Sequence, residues 1–571
     1  MEPVTACAKA AAYFRSVPSF RFPMPAHAFR RALLCGLLAS LLPAAHAADC
    51  AAALVYEDVN SNGRRDATEP GLANIAVSDG QAVARTDANG RFRLPDAMDD
   101  QARTVFVVKP AGFALARRSD GLPDSWRNLG TRRGPDLKYG GIPAGTKCPD
   151  FGLRREVHPP LRNEGLRVLV FADPQPKSDV DVGYYARDIV DPLIEESAVR
   201  MHSFNLKWPG QVGDLGLSLG DIVDDDLSLY PAMNRVTAKL GIPWLHAAGN
   251  HDMDLDASRD EDSLLTFRHH FGPDTFAWEE PEANFVVLDD VVYQPGTKPG
   301  YIGGFRASQL AFLRQYLATA DKSRLLVLAL HVPLFEAEGR DTFRDADREQ
   351  LFALLQEFPR VLVLSAHSHT QQHVFHGAGS GWHSKAPLHE YNVGAACGAF
   401  WSGKADGAGI PAATMADGTP NGYARLLVPA DGDYALSWHA ARGQGGDAIG
   451  LHAPLVLRRG AYPAFGVYAN VYMGRDDSRV EYRVDGGDWQ AMRKVVAPDP
   501  ALLAENALDD AAAHLRGYDR SPEAKPSAHL WRGALPTDLA LGGHTVEVRA
   551  FDAWLGEQRA TTRYRLEDAE P

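Results

Sequence analysis

Cysteine is scarce in this chain, five in 571 residues. Any metal chemistry therefore falls to oxygen and imidazole donors, which suit Mn, Fe, Zn or Mg. Positive charge is also in short supply. The formal net charge is −14. Residues 1–47 hold five Lys or Arg against one Glu, so the remainder carries −18. A surface that acidic disfavours general nucleic-acid binding, which depends on phosphate neutralisation, and it disfavours anionic membranes. A polyanionic substrate must be drawn in locally, by metal charge. Internal repeats, low-complexity tracts and coiled-coil heptads are absent. No Gly-x-Ser-x-Gly elbow follows a strand, so Ser/His/Asp acyl transfer is a poor competitor.

Apolar runs long enough to span a bilayer are missing too. The run at residues 32–42 is too short. It follows Arg30-Arg31 and precedes Ala45-His46-Ala47, an order of charged, apolar and small residues that reads as a cleavable secretory signal over residues 1–47. That predicts a periplasmic or secreted protein with no transmembrane anchor. Cys50, Cys148 and Cys397 then remain. Cys50 and Cys148 mark the two ends of a first domain, either as a disulfide closing it or as two buried thiols. Cys397 is expected to be unpaired and packed.

The length predicts two to four domains. Residues 48–153 alternate short strand patterns (53–56, 75–78, 82–86, 90–94 and 104–108) with turns at Asp79-Gly80 and Asn89-Gly90. This predicts a small β-sandwich, similar to immunoglobulin-like or prealbumin-like accessory domains. It holds Asp58, Asn60, Asn62, Asp66 and Glu69 at the spacing of a twelve-residue calcium loop, with Gly63 at the turn. The alternative is an Asn/Gly turn that needs no ion. Residues 154–166 read as a linker. Over 166–426 continuously apolar strands alternate with helices, including the stripes Leu310, Leu313, Leu317 and Leu351, Leu354, Leu355. Such strands are covered on both faces, and their ends are where such folds place ligands. Clean alternation returns over 445–571, predicting a second β-sandwich.

Five segments in the central region end a strand-like run with a hard donor: Phe171-Ala172-Asp173-Pro174-Gln175, Leu219-Gly220-Asp221, Ala248-Gly249-Asn250-His251-Asp252, Leu330-His331-Val332-Pro333 and Ser365-Ala366-His367-Ser368-His369. Two Asp, one Asn, three His and one Gln are enough for two ions. The ordered set resembles the calcineurin-like metallophosphoesterase superfamily, in the branch with an N-terminal β-sandwich and a C-terminal associated domain. The family's first motif usually has His at Gln175, and its last usually has Gly at Ala366. The resemblance implies an α/β (α+β) fold, a four-layer αββα sandwich flanked by the two β-sandwich domains.

By the family pattern, Asp173, Gln175 and His369 hold one divalent ion, and Asn250, His331 and His367 the other. Asp221 bridges them. A water activated by the pair then attacks phosphorus in line. His251 is the candidate transition-state stabiliser or proton donor, with Asp252 fixing its tautomer or position. Asn392 and Trp401 lie in stretches shared with that branch and are expected to line the substrate site. His246 is expected to be a satisfied core histidine, and His373, His376, His383 and His389 to be mostly surface or packing residues. Asp224, Asp225 and Asp226 read as a solvated loop or helix cap. The implied activity is hydrolysis of a small-molecule, lipid-linked or glycan-linked phosphate mono- or diester. The alternatives are a pyrophosphohydrolase acting on nucleotide- or lipid-linked diphosphates, and a non-catalytic surface-binding protein built on a degenerate phosphatase core.

Overall fold

The computed structural model describes residues 53–95, 102–130, 134–144, 150–156, 165–204, 212–336, 342–442 and 448–569. The signal-like segment, Cys50 and Cys148 lie outside the described residues. Cys397 is a free, buried thiol.

Two sheets form the centre. One has the order Trp244–Ala247, Leu215–Leu219, Leu166–Phe171, Gly422–Val428, Ala435–Ala440. Its first three strands are parallel and its last two are antiparallel. The other has the order Phe276–Glu279, Ala283–Val287, Leu325–Ala329, Val361–Ser365, Leu388–Asn392, Gln372–His376. Its four inner strands are parallel. Leu325–Ala329 is buried along its whole length, and Val361–Ser365 along all but its first residue. This explains their unbroken apolar sequences, because neither face meets water. Helices Ala307–Leu317 and Asp345–Leu355 carry the predicted stripes: Leu310, Leu313, Leu317, Leu351 and Leu355 are buried, and Leu354 is partly so. The second helix stops short of Pro359, which cannot continue it. Helices Asp179–Tyr185 and Tyr230–Thr237 pack together and contribute Val182, Tyr185, Tyr230 and Met233 to the same core.

The fold is thus a mixed α/β core with β-rich domains on either side in sequence. The N-terminal domain pairs a three-stranded with a four-stranded sheet, and the C-terminal domain a four-stranded with a five-stranded sheet. Several boundaries differ from expectation. The central sheet runs on to Ala440, past residue 426, because Ala435–Ala440 pairs antiparallel with Gly422–Val428. Arg154 and Arg155 are not linker. They end the strand Phe151–Arg155, which pairs parallel with Val55–Glu57. Residues 90–94 form no strand. Asp87 accepts the amides of Asn89 and Arg91, which closes a turn with Gly90 at φ 79°.

The calcium-like loop is closed by its own groups. Asp58 accepts the amides of Asn62 and Gly63, Glu69 accepts those of Val59 and Asp66, and Asp66 accepts the side-chain amides of Asn60 and Asn62. It is not among the carboxylate and imidazole groups that converge within 4.8 Å.

Candidate metal centre

The two central sheets present their strand ends to one another with a division of labour. Asp173, Asp221 and Asn250 follow strands of the five-stranded sheet, whereas His331, His367 and His369 follow strands of the six-stranded sheet. Oxygen donors on one sheet therefore face imidazoles on the other. Asp221, His331 and His367 bring ligand atoms within 4.8 Å of one another, and so do Asp173, Asp221 and His369. Asp221 belongs to both sets.

The loops reach this geometry at a conformational cost. Asp173, Gln175, Asp221, Asp225, His367 and His369 all have positive φ, between 37° and 68°. A non-glycine residue there costs about 1–2 kcal/mol, and such strain gathers at functional sites. Glycine is needed where backbones cross. A Cβ on Gly249 would meet Asp221 Oδ1 at 2.2 Å, and one on Gly220 would meet His331 Nδ1 at 2.5 Å.

Backbone carbonyls set the imidazole tautomers. His331 Nδ1 lies 2.9 Å from the Leu219 carbonyl, and His369 Nδ1 lies 2.8 Å from the carbonyls of Gly398 and Ala399. A carbonyl only accepts, so each Nδ1 carries a proton and each Nε2 is the nitrogen left to ligate when the ring is neutral. Both Nε2 atoms turn inward. His331 Nε2 is 3.0 Å from Asn250 Oδ1 and 3.4 Å from Asp221 Oδ1, and His369 Nε2 is 3.6 Å from Asp173 Oδ1. Asp173 Oδ1 is buried with no hydrogen-bond partner among the described residues. A buried carboxylate oxygen with no donor among the described residues, beside the inward-turned Nε2 of His369, fits a divalent cation.

Burial and mutual charge shift Asp173, His331, Asp221 and His369. Burial, reinforced by Asp221, pushes the Asp173 carboxyl up to about 8. Burial opposes charge on His331, but Asp221, Asp173 and Asp290 outweigh it and raise the imidazole to about 10. Burial also works against the Asp221 carboxylate, yet His331 and His251 hold it well below the usual range. At His369 burial outweighs the pull of Asp221 and of the Gly398 and Ala399 carbonyls and depresses the imidazole to about 4.

Gln175 sits at the rim of this cluster. Its Nε2 is 3.4 Å from Asp224 Oδ1 and its Oε1 is 3.9 Å from Cys397 Sγ. Its main-chain amide donates to the Asp221 carbonyl.

His251 is oriented differently from expectation. Its Nδ1 lies 2.8 Å from Asp225 Oδ1 and 3.0 Å from Asp224 Oδ1. Burial lowers the imidazole's affinity for a proton, but Asp221, Asp225 and Asp224 overcome it and raise the group to about 9. Asp252 shows no contact with that ring. It accepts the amides of Ile222 and Gly249 and the Tyr230 hydroxyl, and so pins the Asp221 loop to the Asn250 loop. Of the acidic trio, Asp226 caps the turn Leu227–Leu229 as expected, while Asp224 and Asp225 take the orienting role assigned to Asp252.

Asn392 and Trp401 lie behind the ligand loops rather than on the cleft. Asn392 is fully buried, and its amide holds Ser368 Oγ and the Thr370 carbonyl at 2.6 and 2.7 Å. The Trp401 indole donates to the Pro174 carbonyl at 2.8 Å. They brace the segments carrying His367, His369, Asp173 and Gln175. His246 is buried against Phe271, but neither ring nitrogen has a hydrogen-bond partner among the described residues, and burial depresses it to about 3. His373 pairs with His389, and His376 pairs with Glu390, as packing residues. A Gly-x-Ser-x-Gly string does occur at residues 216–220, but Ser218 is mid-strand and accepts the Trp244 indole.

The sequence reading missed Asp290, and it placed Asp417 only in a stretch shared with the family branch and suited to a pocket wall. Asp290 accepts the amides of His331 and Val332. The pair Asp289-Asp290 ends an apolar strand, which is the same signal that marks the ligands. Asp417 accepts the amide of Gln371, two residues beyond His369. Asp417 is in turn gripped from the C-terminal domain: Asn470 donates to its carbonyl, and His529 meets both its carboxylate and Asn470 Oδ1.

Family models match this arrangement in three consecutive pieces. Residues 59–138 match the N terminal of calcineurin-like phosphoesterase, 166–371 match calcineurin-like phosphoesterase itself, and 390–558 match its C terminal. The chain belongs to the calcineurin-like phosphoesterase family. Among curated proteins it is 29% identical over 163 residues to the 3′,5′-cyclic adenosine monophosphate phosphodiesterase CpdA of Pseudomonas aeruginosa, covering 28% of this chain and 55% of that one. It is 50% identical over 180 residues to Colossin-A of Dictyostelium discoideum, covering 32% of this chain and 1% of that one. The chain therefore spans little more than half, or far less, of these relatives. A purple acid phosphatase from yellow lupin overlays with a TM-score of 0.34 at 12% identity, covering 64% of this chain and 72% of that one. That overlay is too loose to argue from. For this family member, a binuclear divalent centre is the expected cofactor, and the two overlapping ligand sets around Asp221 supply residues for it.

Proposed function

We propose that this calcineurin-like phosphoesterase is a two-metal hydrolase of phosphate mono- or diesters. One observation carries the reading: two overlapping sets of strand-end ligands share Asp221, and one of them includes Asp173, whose buried Oδ1 has no hydrogen-bond partner among the described residues. Asp173, Gln175 and His369 would hold one divalent cation, Asn250, His331 and His367 a second, and Asp221 would be shared. When bound, such a pair neutralises the carboxylates, attracts phosphoryl oxygens and acidifies a water.

The chain's own residues do the rest. The carbonyls of Leu219, Gly398 and Ala399 keep His331 and His369 as Nδ1–H tautomers, and Asp252 and Asp290 fix the loops. His251 is held by Asp224 and Asp225 with 29% of its side chain exposed, and the neighbouring carboxylates favour its protonated form. It donates to a phosphoryl oxygen and passes a proton to the departing alkoxide. The relative named as a cyclic-nucleotide phosphodiesterase lends weight to diester cleavage. The pattern of residues 1–47 supports an exported protein, whose mature N-terminus by sequencing would be Ala48.

Elemental analysis of the purified chain, followed by a panel of mono-, di- and pyrophosphate substrates, tests the reading. Two transition ions and ester hydrolysis are expected, with Asp221→Asn lowering kcat at least about a hundredfold through loss of the shared ligand. Cleavage of pyrophosphates alone would move the activity to diphosphate hydrolysis. Absence of transition ions together with absence of hydrolysis would leave a binding protein.

A further inference from the structure

A small pocket opens beside His367. It has a volume of about 190 Å³ and is lined by Gln294, Lys298, Pro299, Tyr301, Ile302, Val332, Thr342 and His367. One wall is the hairpin Val291–Tyr293 and Tyr301–Gly303 with its tip at 294–300. The opposite wall is Val332, which directly follows the ligand His331, and His367 itself. The Tyr301 ring stands edge-on to the His367 imidazole at 6.0 Å between centroids. The pocket is therefore continuous with the candidate metal centre.

Its position is fixed rather than incidental. Asp290 bonds the amides of His331 and Val332 through Oδ1, while its carbonyl accepts Gly304 at the foot of the hairpin. Gly303 donates to the Thr342 carbonyl. The chemistry of the lining is mixed. Pro299, Ile302, Val332 and the Tyr301 ring offer apolar faces. Thr342 is 7% exposed, and its hydroxyl has no hydrogen-bond partner among the described residues. Gln294 adds an amide. Lys298 brings positive charge on a tip, residues 294–300, that contains no carboxylate, in a protein whose net charge is −14.

We propose that this pocket receives the organic portion of the phosphate ester, and that the substrate class is the ester of a single-ring alcohol carrying an anionic or acceptor group toward Lys298 and Thr342. The inference rests on the phosphoesterase reading above and narrows it. A cavity of about 150 Å³ accommodates benzene, and pockets for larger ligands run from about 300 Å³ upward, so the volume of about 190 Å³ matches one ring. The polarity argument follows from the unsatisfied Thr342 hydroxyl and the Lys298 ammonium, which favour an acceptor and disfavour a cationic headgroup.

Three phosphonates with the same head group and no leaving group test this by calorimetric titration of the full chain loaded with Mn²⁺. They are methylphosphonate, phenylphosphonate and 4-carboxyphenylphosphonate. Phenylphosphonate should bind about tenfold or more tighter than methylphosphonate, and the carboxylated ring should bind tighter again. Lys298→Ala should remove the second increment. Ile302→Trp, which fills the pocket, should erase the phenyl-over-methyl preference. Tyr301→Ser, which removes one wall, should shrink it and serves if the Trp variant does not fold. Equal binding of methyl- and phenylphosphonate by the native chain overturns the proposal, as does a preference that survives Ile302→Trp and Tyr301→Ser. Hydrolysis of p-nitrophenyl phosphate without any ring preference overturns the pocket alone. Ring preference without hydrolysis of any ester upholds the pocket and overturns the phosphoesterase reading. Binding of none of the three overturns both.

Discussion

Replacing Asp252 separates two accounts of how the centre is held. In the native chain its carboxylate accepts Ile222 N–H at 3.1 and 3.2 Å, Gly249 N–H at 2.8 Å and the Tyr230 hydroxyl at 3.0 Å. Alanine strands both buried amides, while the tyrosine keeps the Asp252 carbonyl as acceptor at 3.1 Å. Each buried amide without a partner costs about 1–3 kcal/mol, so Asp252→Ala should destabilise the central domain by about 2–6 kcal/mol. Asparagine behaves otherwise. Its oxygen still accepts both amides, and its NH2 donates to the Tyr230 hydroxyl, which can accept. The lost charge matters little, because burial and Asp221 already push this carboxyl up to about 7. Asp252→Asn should therefore cost under about 1 kcal/mol. The loops tied by Asp252 carry Asp221 and Asn250, so Mn²⁺ affinity should fall about 10–100-fold in the alanine variant and little in the asparagine variant. Urea unfolding of the central transition and Mn²⁺ titration measure both. Equal damage from Asn and Ala, with stability unchanged and only the pH profile of kcat altered, would refute this and restore Asp252 as the orienting partner of His251.

Metal removal has a definite pH signature. In the metal-free protein Asp173 rises to about 8 and His331 to about 10, above unfolded values of about 3.9 and 6.5. Both favour the protonated folded state, so that stability is complete at low pH and is lost as pH rises through these windows. Cations favour the deprotonated forms, so the rise in Tm on adding Mn²⁺ to chelator-treated protein should grow from pH 6 to pH 8, and a constant or shrinking rise would contradict it. Gln175→His should tighten Mn²⁺ at the site shared with Asp173 and His369, since imidazole binds more strongly than an amide oxygen; unaltered affinity by titration would remove Gln175 from the ligand set. Trp401→Phe should lose about 1 kcal/mol in urea unfolding by orphaning the Pro174 carbonyl with KM unmoved, whereas a large change in KM would return Trp401 to the substrate surface.

The sequence made the strand-end ligands legible because two independent signals coincide there: a run buried on both faces, then a hard donor. Asp173, Asp221, His331, His367 and His369 all converge as that logic expects. Side-chain direction was not legible, because it turns on loop φ values that alternate in sign between neighbours. His251 could be placed at the site, but whether Asp252 or Asp224 and Asp225 would meet it depends on the left-handed turn at Asp225. Asn392 and Trp401 carry pocket-like chemistry, yet the same hydrogen-bonding groups suit a brace equally well. Among the strands, Phe151–Arg155 escaped notice because it ends in two arginines and pairs with a partner about a hundred positions earlier. Ala435–Ala440 lies between the two expected domains, 166–426 and 445–571, because an antiparallel edge strand carries no sign of which sheet it joins.

The grip of Asn470 and His529 on Asp417 has a consequence for the order in which the molecule matures. Every candidate ligand has been synthesised by His369, yet the carboxylate steadying the turn just beyond it waits for side chains 101 and 160 positions further on. A nascent or clipped chain ending before Asn470 has all the donors and an untethered clasp. The C-terminal sandwich thus reaches the segment beyond His369 through a single carboxylate that it holds in place.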